Sequence, residues 1–316
     1  MPTLSEWAKN ETNMVKRGIM EAIITANEMN KFLEFKSIAG NALQYSREST
    51  LPTATTHQVG DTWTDSEPTF SQKTAVLTTV GVQSPMDQYI AQTRNASNDP
   101  RAILYAGMAK WMGRKIADLN ITGEPEATTT HWEGLDSLVR SETRMMAMDD
   151  GNIDGPGTAE TELTLDRLDA MIDAVEEEGN KIKLIMNKTM RRKLTSLSRS
   201  SGSGVLSSSM DEFGMQRMKY GVHDIVICDF ITNAETYNDA GTWPSSTATT
   251  IFAVVFGEAD QGYTLLHNGP VLDTPIIPVG IKETKNEELY RMVAYLQAVV
   301  FSTKKIAALG GIDSQS

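Results

Sequence analysis

Residues 99–123 read DPRAILYAGMAKWMGRKIADLNITG, a long amphipathic helix marked at both ends. Asp99 is a good N-cap. Pro100 suits the first helical position, where its missing N–H is not needed, and Gly123 can take the left-handed conformation just past the end. Leu104, Met108, Trp111, Met112, Ile116 and Leu119 recur at three- and four-residue steps and give one apolar stripe. Arg101, Lys110, Arg114 and Lys115 carry charge elsewhere along it. At 1.5 Å per residue the segment is a rod of roughly 33 Å. Taken alone it is an ordinary core helix. Its upstream neighbour makes it something more.

Residues 36–48 (KSIAGNALQYSRE) and 70–84 (FSQKTAVLTTVGVQS) are strand-like, rich in β-branched side chains and free of proline. Between them lies LPTATTHQVGDTWTDSEPT, with two prolines, Gly60, acids and many threonines, which is turn and loop chemistry. The expected geometry is a long β-hairpin over residues 36–84 whose arms reach roughly 45–50 Å at ~3.3–3.4 Å per residue. Its alternation is weak: Phe70, Val76, Val80 and Val82 share a face that Gln72, Thr74 and Thr78 interrupt. A two-stranded ribbon with so little apolar area is marginal in water and needs a surface to lie on. Unpaired strand edges also invite association. The expectation is therefore that this ribbon rests on a sister copy. Arg47, Trp63, Phe70, Lys73 and Val76 are the candidate contact residues.

Upstream, residues 1–35 carry a narrow helical stripe of Met14, Gly18, Ile19, Ala22, Ile23 and Ala26, too slight to stand alone. They read as an arm that packs against something else. Downstream comes strand–helix alternation, which implies an α/β layer. Residues 164–179 form a helix capped by Thr164. KLIMN (183–187) is a short buried strand, and Asn187 caps a basic helix over about 188–198. SRSSGSGVLSSSM (198–210) reads as flexible loop. A buried strand follows at 222–230, and IFAVVFG (251–257) with QGYTLLH (261–267) read as paired strands. LYRMVAYLQAVVF (289–301) has the β-branched and aromatic content of a long strand buried on both faces, returning to the long helix.

With 316 residues, 40% apolar and 22% charged, the chain can bury a sizeable core. A formal charge of −12 argues against a protein whose main work is gripping phosphates. Cys228 is the single cysteine, so no intrachain disulfide forms, and its apolar run makes it a buried structural thiol. No secretory signal pattern opens the sequence, and no apolar run approaches the ~18 residues of a membrane span.

The search for chemistry returns little. His57, His131, His223 and His267 are scattered without metal-ligand spacing, and no Gly-rich phosphate loop occurs. Gly202-Ser203-Gly204 lacks the spacing of a nucleophile elbow. Asp150, Asn152 and Asp154 with Gly155 match half of a calcium loop, but Thr161 stands where the closing glutamate belongs. The basic run Lys188, Arg191, Arg192, Lys193 and Arg199 reads as a solvated helix face. No catalytic residue, cofactor or metal is expected, and the chain does not read as an enzyme.

The order of segments resembles that of the major capsid proteins of tailed phages with the Hong Kong 97-type fold. LQYSRESTLPTATTHQVGDTW with TFSQKTAVLTTVG resembles that family's extended loop, DPRAILYAGMAKWMGRKIADLNITG its spine helix, and HWEGLDSLV the turn that follows it. LIMNKTMRRKL and MKYGVHDIVICDF resemble segments of its axial domain.

The resemblance implies an α+β fold in four parts: an N-terminal arm (1–35), the extended loop (36–84), a peripheral domain (85–135 and 270–316, spine helix 99–122) and an inserted axial domain (136–269). It implies hexamers and pentamers of an icosahedral shell that encloses double-stranded DNA in a virion assembled in the host cytoplasm. A separate scaffolding protein and a portal would be partners, with no membrane. The alternatives are an encapsulin-like nanocompartment and a soluble hydrolase with a hairpin lid.

Overall fold

A computed structural model describes residues 27–50, 52–63, 65–93, 100–125, 128–149, 151–153, 159–177, 181–202, 204–210, 216–235, 247–269 and 276–315. In chain order these form β1 (Phe35–Ser37), β2 (Ala42–Thr50), β3 (Thr69–Val76), β4 (Thr78–Asp87), α1 (Gln88–Thr93), α2 (Pro100–Thr122), α3 (Leu135–Ser141) and β5 (Met145–Ala147). Then follow α4 (Leu165–Asp173), β6 (Ile182–Met186), α5 (Lys188–Ser201), β7 (Leu206–Met210), β8 (Gln216–Tyr220) and β9 (His223–Ile227). The chain continues through β10 (Ala248–Val255), β11 (Tyr263–His267), β12 (Ile277–Ile281), β13 (Glu287–Val300) and β14 (Ile306–Asp313).

Two sheets share one core. In the five-stranded sheet β13 is the axle: β4 pairs along one edge over ten residues, while β11 and β12 share the other. Tyr290, Met292, Ala294, Leu296 and Ala298 point inward from β13, and Arg291 and Tyr295 point out. Burial on both faces is confined to its last three residues. This corrects the expectation of a strand buried throughout, because among the described residues no second layer covers its outer face.

The seven-stranded sheet runs β5-β14-β10-β6-β9-β8-β7. Every residue of β10 is buried, as expected for a strand covered on both faces. One face (Ile185, Val226, Phe252, Val254, Ile306, Ala308) meets α2 and β13. The other (Leu184, Met186, Ile251, Ala253, Val255) carries α4 and α5 through Leu168, Met171, Met190 and Leu194.

Within α2 the buried side is Met108, Ala109, Met112, Gly113, Ile116, Ala117, Leu119, Asn120 and Ile121. Trp111, placed in the apolar stripe from sequence, is exposed, because it projects about 100° away from Met112. Ala109, Gly113 and Ala117 fill the seam instead, and these small side chains let neighbouring backbone come close. Asn30 Nδ2 donates to the Gly113 carbonyl at 3.0 Å, and Tyr263 Oη donates to Asn120 Oδ1 at 2.8 Å. Asp99, the expected cap, lies outside the described residues.

The end of α2 is a clasp of two glycines. Gly123 is not left-handed. Its N–H donates to Leu119 O, and its carbonyl accepts from Gly134 N at 2.7 Å. A Cβ on Gly123 would stand 2.4 Å from the carbonyl oxygens of Leu119 and Trp132, and one on Gly134 would stand 2.6 Å from Gly123 N. Glycine is required here by contact distance, and the expected conformational reason gives way to that one.

Other expectations shift for similarly physical reasons. β10 and β11 do not pair, because both edges of β10 are taken by β14 and β6; only a single bridge, Phe256–Tyr263, joins the two segments. The run 198–210 ends α5, turns through left-handed Gly202 and enters β7, which pairs along its length with β8. Strand pairing crosses the limits drawn from sequence at two strands. β11, drawn with the insertion, belongs to the β13 sheet, and β14, drawn with the tail, belongs to the seven-stranded sheet. The caps hold as read: Thr164 accepts from Arg167 N, and Asn187 from Met190 N at 2.8 Å. The stripe of residues 14–26 lies outside the described residues.

Candidate inter-subunit surface

The hairpin is shorter than its sequence implies. β2 and β3 pair antiparallel from Ala42–Val76 to Glu48–Phe70, with a shift before Thr50–Thr69. At ~3.4 Å per residue that is a ribbon of roughly 27–30 Å. The descending arm breaks at Leu77, whose N–H donates to Asn41 O at 2.8 Å. Beyond it β4 turns Val80 and Met86 into the core under α2 and pairs with β13. Residues 78–84, expected in the ribbon, therefore belong to the body. The ribbon has a footing on its own chain and projects from it.

That footing is compact. Ile38, Ala75, Leu266 and Val299 form a small cluster with Leu43, Tyr45, Leu77 and Phe301 packed around it. Tyr45 and Phe301 meet edge to face at 5.4 Å. Burial raises the Tyr45 phenol above its ordinary value against the opposing pull of Arg47. Arg47 Nη1 pairs with Glu142 Oε1 at 2.5 Å and Nη2 donates to the Val300 carbonyl, so the guanidinium ties β2 to α3 and to β13. Lys73 reaches the same carboxylate at 3.4 Å. Lys36 pairs with Glu258 beside the Phe301 ring.

Beyond the footing, Ala75 is the one buried residue of β3. The tip carries its own order. Thr53 N donates to Ser66 Oγ at 2.8 Å, and Gln58 N donates to Asp61 Oδ2 at 2.7 Å around left-handed Gly60. The His57 and Trp63 rings lie 4.0 Å apart. Trp63 is 73% exposed, Phe70 66% and Val76 55%, with Val59 fully exposed beside them.

The five residues singled out from sequence therefore divide. Trp63, Phe70 and Val76 stand free on the ribbon, Lys73 is half-exposed over Glu142, and Arg47 is buried against its own chain. Sequence reasoning missed Val59 and a second apolar series on the body: Tyr89, Ile90, Ile103, Trp111, Ile277, Val279, Ile281 and Tyr295, all exposed. Ile277, Val279 and Ile281 alternate on β12, which among the described residues has β13 as its only neighbour. That alternation was a readable signal. The others carry none, since an apolar residue on a helix or strand looks the same from sequence whether it faces core or solvent.

Among the described residues no group of three His, Cys, Asp or Glu side chains is placed to hold a metal. No helix among them is long and apolar enough to cross a membrane.

No protein-family model and no curated protein matches the sequence. Solved structures do. The chain is similar to one in the holo-SrpI encapsulin complex from Synechococcus elongatus, with a TM-score of 0.66 and 15% identity over 92% of this chain and 88% of that one. It is similar to the capsid of the native GTA particle, with a TM-score of 0.60 and 13% identity over 90% of each chain. The chain has the Hong Kong 97-type fold. Microbacterium phage Oxtober96 gives a further match of the same fold, with a TM-score of 0.58 and 15% identity over 88% of each chain.

Proposed function

We propose that the chain is a shell subunit, the major capsid protein of a tailed phage, which self-associates as hexamers and pentamers around double-stranded DNA. The observation that carries this is the extended loop: an ordered ribbon, tied down at its base, that presents Trp63, Phe70, Val76 and Val59 to solvent on a fold shared with shell proteins. Fully burying such a side chain gives about 1.5–3 kcal/mol. A monomer gains none of this. In a closed shell the same gain recurs at every copy, so modest contacts sum while each stays weak enough to be remade. The exposed series on α1, α2 and β12 supplies further surface for neighbours. The β13 sheet with the spine helix forms the peripheral part, and the seven-stranded sheet with α4 and α5 the axial part around the symmetry centres. A separate scaffolding protein and a portal complete the particle, and the mature location is the virion.

Electron microscopy of the full chain, expressed with and without its neighbouring genes, tests this reading. Closed particles of uniform size support it, and a chain that stays monomeric at all concentrations overturns it. The encapsulin similarity favours a second reading, a protein-filled compartment. Nuclease-protected DNA in particles from the native source decides for the capsid, and a protected cargo protein decides for the compartment.

A further inference from the structure

The β7–β8 hairpin joins β9 through two residue pairs only, Lys219–Asp224 and Tyr220–His223. Past them the strands part, although β8 keeps its full pairing with β7. The gap opens a cleft of about 570 Å³ between this hairpin, β9 and α5. Leu206, Met218, Ile225 and Ile227 give it an apolar floor.

Its rim is polar and carries three arginines. Arg191, Thr195, Ser198 and Arg199 line it from α5 at spacings of four, three and one, which puts them on one stripe of that helix. Met190 and Leu194 turn to the core, Lys188 pairs with Asp229, and Lys193 reaches the Asp313 carbonyl. Arg217 lines the facing wall, its guanidinium stacked 4.6 Å over the Phe32 ring, with Ser207 and Ser208 beside it. Among the described residues the one carboxylate lining the cleft is Glu28, whose Oε2 accepts the Ile227 N–H at 3.1 Å, on the side of β9 that β8 has left.

We propose that this cleft is a binding site for a phosphate-bearing ligand. Arg191 and Arg199 of α5 line it, with Arg217 of β8 on the facing wall, in a chain of net charge −12. Arginine forks match phosphate oxygens bidentately, and hydroxyls at Ser207 and Ser208 supply further donors. The volume suits one nucleotide-sized group. The walls concentrate the positive potential where a flat lysine patch would spread it. The phosphate comes either from a nucleic-acid backbone or from a free polyphosphate. This proposal does not depend on the shell reading, since a monomer contains the whole site.

The test is calorimetric titration of the full chain at low salt with inorganic pyrophosphate, with a short single-stranded oligonucleotide and with an octaglutamate peptide. Saturable binding of pyrophosphate at one per chain is expected. The double variant Arg191→Gln/Arg199→Gln weakens it at least tenfold. Lys188→Gln/Arg192→Gln, which removes equal charge from α5 outside the cleft, changes it less than twofold. Glu28→Gln tightens it, a sign that loss of fold could not produce. An oligonucleotide bound tighter than pyrophosphate assigns the phosphate to nucleic acid; equal or weaker binding assigns it to the free anion. Failure of pyrophosphate to bind, equal loss in the two double variants, or tighter binding of octaglutamate overturns the proposal. Particle formation by the same variants is scored separately, so the two readings fail independently.

Discussion

Arg47 shows what a single position can hide. In sequence it is a cation on a polar ribbon, indistinguishable from a surface charge. In the fold it is buried, bridging Glu142 and the carbonyl of Val300, 253 residues away. No local pattern announces a partner so distant. Arg47→Met keeps the apolar stem and leaves the Val300 oxygen unmatched, so a loss of about 1.5–3 kcal/mol is expected in urea unfolding. Amide exchange should quicken in β2 and β3 while α2 keeps its protection.

Glu235 was equally silent in sequence. Burial, reinforced by Asp136 and opposed by the Thr250 hydroxyl and Arg140, pushes its carboxyl up to about 8. The unfolded chain releases that proton near its ordinary value of 4.5, so between those limits the folded state holds more protons. The contribution of Glu235 to stability therefore falls as pH rises from about 4.5 to 8. Glu235→Gln should flatten that slope in melting temperatures taken at pH 5 and pH 8.

At the scale of elements, legibility follows the range of the forces involved. The caps of α4 and α5 were readable because capping acts within a few residues, and the span of α2 because 3.6-residue periodicity does too. The break at Leu77 was not, since it arises only when β4 finds β13 far along the chain. β7 was unreadable for another reason: Leu206–Met210 is mostly serine and pairs through its backbone, without the alternation that marks a half-buried strand.

The clasp after the spine helix gives the sharpest check at this scale. Gly123→Ala and Gly134→Ala each drive a methyl into backbone that cannot retreat, and each should cost more than about 2 kcal/mol. Gly107→Ala lies in the same helix with nothing within 4 Å and should stabilise by about 0.5–1 kcal/mol. Thermal midpoints of the three variants separate contact from propensity.

For the whole molecule, the succession of arm, ribbon, long helix and α/β insertion was enough to indicate the architecture, because each segment's polarity and length constrain what it can cover. The assignment of strands to sheets needed three dimensions. Assembly belongs to this scale too. Trp63→Ser with Phe70→Ser touches side chains that the monomer leaves in solvent, so monomer stability should move by less than about 0.5 kcal/mol. Particle yield in sedimentation should collapse. Loss of both together would mean that these aromatics serve the subunit itself.

The pairing of β4 with β13 carries a temporal meaning as well. The ribbon's base strand waits for a partner made roughly 200 residues later, so a ribosome stalled anywhere between them displays a hairpin with no platform. Chains that end before β13 therefore carry the paired β2 and β3 without the strand that seats β4 beneath them, and amide exchange in the ribbon of such fragments should be fast.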